Sequence, residues 1–87
     1  MQASGELDTA SAGPLVQRVA ELAARCPEVV VDLSAVTFMD GAGLDALLAA
    51  RHAVQGAGGI FRLSAPRPSV RYVLALTGTE DAFELIR

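Results

Sequence analysis

The stretch Val29–Leu48, VVVDLSAVTFMDGAGLDALL, constrains the fold of this chain more than any other. Three consecutive β-branched valines, Val29, Val30 and Val31, open it without polar alternation. That is the pattern of a strand covered on both faces, as in parallel sheets. The predicted strand is Glu28–Leu33, with Val36 and Phe38 anchoring the following loop to the core. The loop closes on Phe38-Met39-Asp40, and a small-residue turn, Gly41-Ala42-Gly43, leads into an amphipathic helix from about Gly43 to Gln55. Leu44, Leu47, Leu48 and Val54 share its inward side, with Ala46, Ala49, Ala50 and Ala53 allowing close packing. Open α/β sheets place ligands and partners at such strand-to-helix loops, where the first helical N–H groups point outward and carry partial positive charge. A site in this chain is therefore expected at Asp40–Leu44.

The flanking sequence repeats the alternation. Ala3–Leu7 is expected to form at most a stub of strand. Asp8, Thr9 and Ser11 are candidate N-caps for a first helix, with Pro14 suited to its first turn. Leu15, Val19, Leu22, Ala23 and Cys26 recur on one apolar face, which makes Cys26 a core residue, and Cys26-Pro27 ends the helix. After the second helix, Gly56, Gly58 and Gly59 form a stop. Ile60–Ser64 is a further strand, Pro68 opens a third helix with Val70, Val73, Leu74 and Thr77 on one side, and Phe83–Ile86 is the last strand. Helices alternating with strands imply parallel pairing through right-handed crossovers: one α/β domain over residues 1–87, with a small, mostly parallel sheet.

Totals narrow the function classes. The chain is 52% hydrophobic and 20% charged, with a mean hydropathy of +0.39. It is too apolar for disorder, and no run approaches the roughly 18 residues of a membrane span. The N-terminal MQASGELD has neither the basic nor the apolar region of a signal peptide, so the expected location is the cytoplasm. Net charge is −3, with seven acids and two arginines in residues 1–50 against three acids and five arginines in residues 51–87. No basic stripe interleaves with aromatics, so nucleic-acid binding is not expected. Cys26 is the single cysteine, which leaves no disulfide framework or multi-cysteine metal site.

Gly41-Ala42-Gly43-Leu44-Asp45-Ala46 satisfies a loose G-x-G-x-x-A dinucleotide fingerprint, but its context argues against one. Ser34–Asp40 separates it from the strand, Asp40 puts a carboxylate where a pyrophosphate would sit, and no acid ends the next strand. A Walker lysine is impossible in a chain without lysine. Asp40 is more simply an N-cap, and Asp45 a first-turn complement to the helix dipole. His52 falls on the polar side of a helix, and no nucleophile–base pair or ligand cluster emerges. The expectation is a recognition module without catalysis, cofactor or metal.

Val31-Asp32-Leu33-Ser34, Val36, Phe38-Met39-Asp40 and Gly43-Leu44 closely resemble the signature of STAS domains, the bacterial anti-sigma-factor antagonists and related domains of sulfate transporters. Gly5-Glu6-Leu7-Asp8 resembles that family's turn before its first helix, and Pro66, Val70–Leu76, Thr77-Gly78 and Phe83–Ile86 resemble its last helix and strand. The resemblance implies a partner-binding domain that captures an anti-sigma factor with a kinase-like ATP-binding fold. It places the binding surface at Glu6, Leu7, Asp8, Asp40, Gly41, Ala42, Gly43 and Leu44.

Two departures qualify that expectation. In the family the partner phosphorylates a serine or threonine directly after the motif aspartate, and the added charge breaks the complex. Here that position is Gly41, followed by Ala42, and neither carries a hydroxyl. Family members also usually carry a full hairpin before Gly-Glu-Leu-Asp and a helix after the last strand. With a shortened N-terminal strand region and no C-terminal helix, an uncovered sheet edge and self-association as a homodimer are expected. The leading function is an anti-sigma-factor antagonist, or a binder of another regulatory protein, not phosphorylated at the usual site. The alternative is an accessory STAS subunit of a phospholipid-type ABC transporter, docking on its ATPase without inserting in the membrane.

Overall fold

The computed structural model describes residues 1–86. In chain order they form β1 (Gln2–Leu7), α1 (Thr9–Ala23), β2 (Glu28–Met39), α2 (Gly41–Gly56), β3 (Ile60–Ser64), α3 (Pro68–Leu76), a 3-10 turn (Glu80–Ala82) and β4 (Glu84–Ile86). All four strands are parallel, and their spatial order β1-β2-β3-β4 is their chain order.

The expected α/β alternation is present, and the strand Ile60–Ser64 and the opening of α3 at Pro68 fall where the sequence puts them. β1 is a full strand rather than a stub. It escapes notice because Gln2, Ser4 and Glu6 are exposed and only Ala3 and Leu7 enter the core. β2 does not stop at Leu33 but runs on to Met39, and this second half is what β1 pairs with. Nor is β2 covered on both faces. Val29 and Val31 are buried beside Phe61 and Leu63 of β3, while Val30 is half-buried beside Arg62.

The buried sheet positions join Leu15 and Val19 of α1, Leu44, Leu47, Ala50 and Val54 of α2, and Val70 and Leu74 of α3 in one core cluster. Each fully buried leucine or valine contributes about 1.5–3 kcal/mol relative to exposure. Phe61 and Phe83 close the β4 end, with ring centroids 6.3 Å apart. Glu28, Arg62 and Glu84 form an ion-pair row across β2, β3 and β4 beside the half-buried and exposed positions.

Smaller expectations shift too. α1 ends at Ala23, before Cys26-Pro27, so Cys26 is half-buried beyond the helix rather than in its core face. Pro14 lies inside α1 instead of its first turn. α2 starts at Gly41, two residues before the expected Gly43.

Candidate functional site

β1 and β2 end side by side, Leu7 in register with Met39, and each passes through a single aspartate into a helix. Asp8 and Asp40 are the N-caps, both in extended backbone. A carboxylate suits this place because it accepts from otherwise unpaired N–H groups at the positive end of the helix. Asp8 accepts from Ala10 and Ser11 N–H at 3.1 and 3.2 Å, and Asp40 accepts from Gly43 N–H at 3.0 Å. The Asp40 N–H in turn donates to the Leu7 carbonyl at 3.2 Å, tying the second corner to the end of β1.

Gly43 is fixed by packing. A Cβ there would lie 2.2 Å from the Leu7 carbonyl oxygen and 2.8 Å from its carbon. Only glycine lets the first turn of α2 come this close to β1. A Cβ at Gly41 would meet nothing within 4 Å. Of the eight expected surface residues, Glu6 and Gly41 are exposed, and Asp8, Asp40 and Ala42 are half-buried. Leu7, Gly43 and Leu44 are buried in the scaffold beneath and present no side chain to a partner. Asp45 is exposed nearby, so this corner carries Glu6, Asp8, Asp40 and Asp45 and is acidic.

How β2 reaches this corner explains two further motif residues. The β1–β2 register slips between Gln2 and Ser4 and again between Gly5 and Glu6, each time giving β2 one extra residue. At the first slip, Ser34 N–H donates to the Asp32 carboxylate at 2.8 Å. This backbone bond, aided by a contact to the Ser34 side chain, holds the Asp32 carboxyl below its ordinary pKa. At the second slip Thr37 is the added residue and Gly5 sits opposite at φ +74°, a conformation glycine adopts without strain. The Thr37 hydroxyl donates to the Gly5 carbonyl at 3.3 Å, and the Ser69 hydroxyl of α3 donates to the Thr37 carbonyl at 3.3 Å. β1, β2 and α3 are thus joined just below the corner.

The second slip turns Phe38 outward. It lies in register with Glu6, is 50% exposed, and does not anchor the loop to the core. Hydrophobicity alone assigns Phe38 to the interior, and a period-2 count carried past Leu33 fails at each added residue. Thr37 and Ser69 carry no motif signal in the sequence.

Two clefts of about 620 and 390 Å³ are lined by Ala65, Pro66, Arg71, Leu85 and Ile86, and by residues around Arg51, Phe61 and Phe83. Neither touches the corner. A smaller cleft of about 210 Å³ borders its β1 side at Leu7 and Ser11. That is below the roughly 300 Å³ at which small-molecule pockets begin, which suits a protein surface better than an enclosed small molecule. Among the described residues no three His, Cys, Asp or Glu side chains could hold a metal ion, and no helix is long and apolar enough to cross a membrane.

The family model for the STAS domain matches residues 1–87. A comparison with curated proteins gives no match. Among solved structures, an anti-sigma factor antagonist from Mycobacterium paratuberculosis is 35% identical, with 97% of this chain and 72% of that one covered and a TM-score of 0.81. The anti-sigma factor antagonist SpoIIAA in its unphosphorylated form is 19% identical, over 99% and 76% of the two chains, with a TM-score of 0.79. SpoIIAA of Bacillus in its phosphorylated form, at 18% identity over 99% and 79%, gives 0.71. The SpoIIAA likenesses speak to the fold alone.

Proposed function

This chain belongs to the STAS domain family, and from that premise we propose that it is a non-catalytic antagonist that captures an anti-sigma factor of the kinase type. The carrying observation is the 35% identity to the Mycobacterium paratuberculosis antagonist over 97% of this chain, together with the exposed, acidic corner at the motif position. Glu6, Asp8, Asp40, Gly41 and Ala42 form the contact surface, and Leu7, Gly43 and Leu44 hold it in shape. Phe38 adds an apolar element next to Glu6. Acidic side chains there steer a basic patch on the partner, while close approach to the small residues at 41 and 42 sets the fit.

Gly41 gives this surface a different regulation from a phospho-switched relative. Nothing at position 41 or 42 accepts a phosphoryl group, so the partner's ATP has no means of dissolving the complex at that place. Titration with a kinase-type anti-sigma factor of the same organism tests the assignment. Saturable binding that Gly41→Asp weakens about tenfold or more by setting like charge beside Asp40 is expected. No binding by the unsubstituted protein discards the partner, and binding indifferent to Gly41→Asp discards the surface.

A further inference from the structure

Among the described residues, three large apolar side chains are left most exposed, two of them on one side of α3 and one on the strand that the first turn of α3 reaches. Phe38 is 50% exposed, Tyr72 66% and Leu76 71%. Ser69, Tyr72 and Leu76 recur at i, i+3 and i+7 and so share one side of α3. Ser69 is also the residue whose hydroxyl reaches Thr37, the neighbour of Phe38 in β2. The apolar stripe of α3 therefore begins where β2 presents Phe38.

Charge is divided on either side of this stripe. Beyond Phe38 lies β1 with Glu6 in register, then Asp8, with Asp40 and Asp45 at the adjoining corner. On the other side stands the start of α3, with Arg67 at its N-cap and Arg71 one turn later, both exposed. None of these six charged residues takes part in an intramolecular ion pair among the described residues. An acidic flank, an apolar middle and a basic flank make a self-complementary surface. A twofold axis through the middle sets the acidic flank of one molecule over the basic flank of the other.

We propose that this surface closes on a second copy of the same chain. Phe38, Tyr72 and Leu76 form the dry centre of a twofold dimer, and Glu6 and Asp8 of each protomer face Arg67 and Arg71 of its partner. The contact is isologous, so it ends at two copies instead of propagating into a fibre. The pairing does not depend on the anti-sigma assignment, but it uses Glu6, Asp8 and Phe38 of that contact surface, so a second copy and an anti-sigma factor compete for it.

Sedimentation equilibrium from about 1 to about 500 µM tests it, spanning the range of weak homodimers. The mass is expected to rise from 9.0 kDa towards twice that value, at lower concentration in low salt than in about 0.5 M salt, where exposed charges are screened. Arg67→Glu should weaken association at least tenfold, and adding Glu6→Arg should restore it. Phe38→Ser should abolish it, with far-ultraviolet circular dichroism confirming the fold; Tyr72→Ser, on an exposed helix surface, serves the same purpose if Phe38→Ser unfolds. A single 9.0 kDa species at every concentration overturns the proposal. So does a dimer untouched by these substitutions, or a double variant no tighter than Arg67→Glu alone.

Discussion

The two strand-to-helix corners, Leu7–Ser11 and Met39–Gly43, start from one plan and finish differently. Each passes from a buried residue to an aspartate N-cap and then into a helix. At the third helical position α1 has Ser11 and α2 has Gly43. Ser11 closes its corner: it accepts from Asp8 N–H at 2.9 Å and its hydroxyl reaches the Glu6 carbonyl at 2.8 Å. Gly43 does the opposite, giving up a side chain so that α2 can seat on the Leu7 carbonyl. At the first helical position the contrast reverses, with a hydroxyl on Thr9 and none on Gly41. One corner is finished by its own side chains. The other is pulled tight against the sheet and left bare outside, which is what a docking surface needs.

The largest effect expected from breaking this contrast is at Gly43. Gly43→Ala drives a Cβ into the Leu7 carbonyl and should cost about 3 kcal/mol of stability in urea unfolding, the upper part of the overpacking range. A loss below about 0.5 kcal/mol, the level of an ordinary surface change, would show the close approach to be dispensable. Next come the caps. Asp8→Ala frees two amides and undoes the reciprocal bonds with Ser11, and Asp40→Ala frees one; each should cost about 1 kcal/mol, the first more than the second. Equal losses in the same assay would mean the two corners are closed alike.

Gly41→Ser sharpens the comparison from the other side. Position 41 has open space around it, so stability should stay within about 0.5 kcal/mol of the parent. A larger loss would mean the bare exterior is a structural need.

The smallest effect concerns how β2 reaches the corner. Asp32 has its pKa lowered by the Ser34 N–H bond, so its contribution to stability is present above the ordinary carboxylate value and is lost as pH falls through the lower folded value. The parent should therefore lose more stability than Asp32→Ala on acidification below about pH 4. Parallel unfolding curves for the two proteins down to about pH 2 would remove that role from Asp32.

What the sequence made legible follows from where local chemistry decides structure. Proline at α3, the apolar residues of Ile60–Ser64 and an aspartate before Gly41-Ala42-Gly43 each act over a few residues, and the elements lie where expected except that α2 starts two residues early, at Gly41. β1 was hidden because an edge strand with Gln2, Ser4 and Glu6 exposed has too few buried positions for periodicity to register. The extension of β2 was hidden because its two added residues, at Ser34 and Thr37, break the alternation twice, so buried Val36 falls out of phase with Leu33 and exposed Phe38 out of phase with Val36. The second shift is tied by Gly5, Thr37 and Ser69, each hydrogen-bonded pair 32 residues apart in the chain. The candidate surface was legible as a motif, but its division into exposed Glu6 and Gly41 and buried Leu7, Gly43 and Leu44 is tertiary.

The bare exterior of the second corner is tested most directly by adding ATP to complexes with a kinase-type anti-sigma factor. One complex holds the unsubstituted protein and the other holds Gly41→Ser. The unsubstituted complex should stay intact, with no phosphate at residues 40–44, while Gly41→Ser gains phosphate at position 41 and releases its partner. Phosphate incorporation at residues 40–44 of the unsubstituted chain, or release of both proteins alike, would contradict the account.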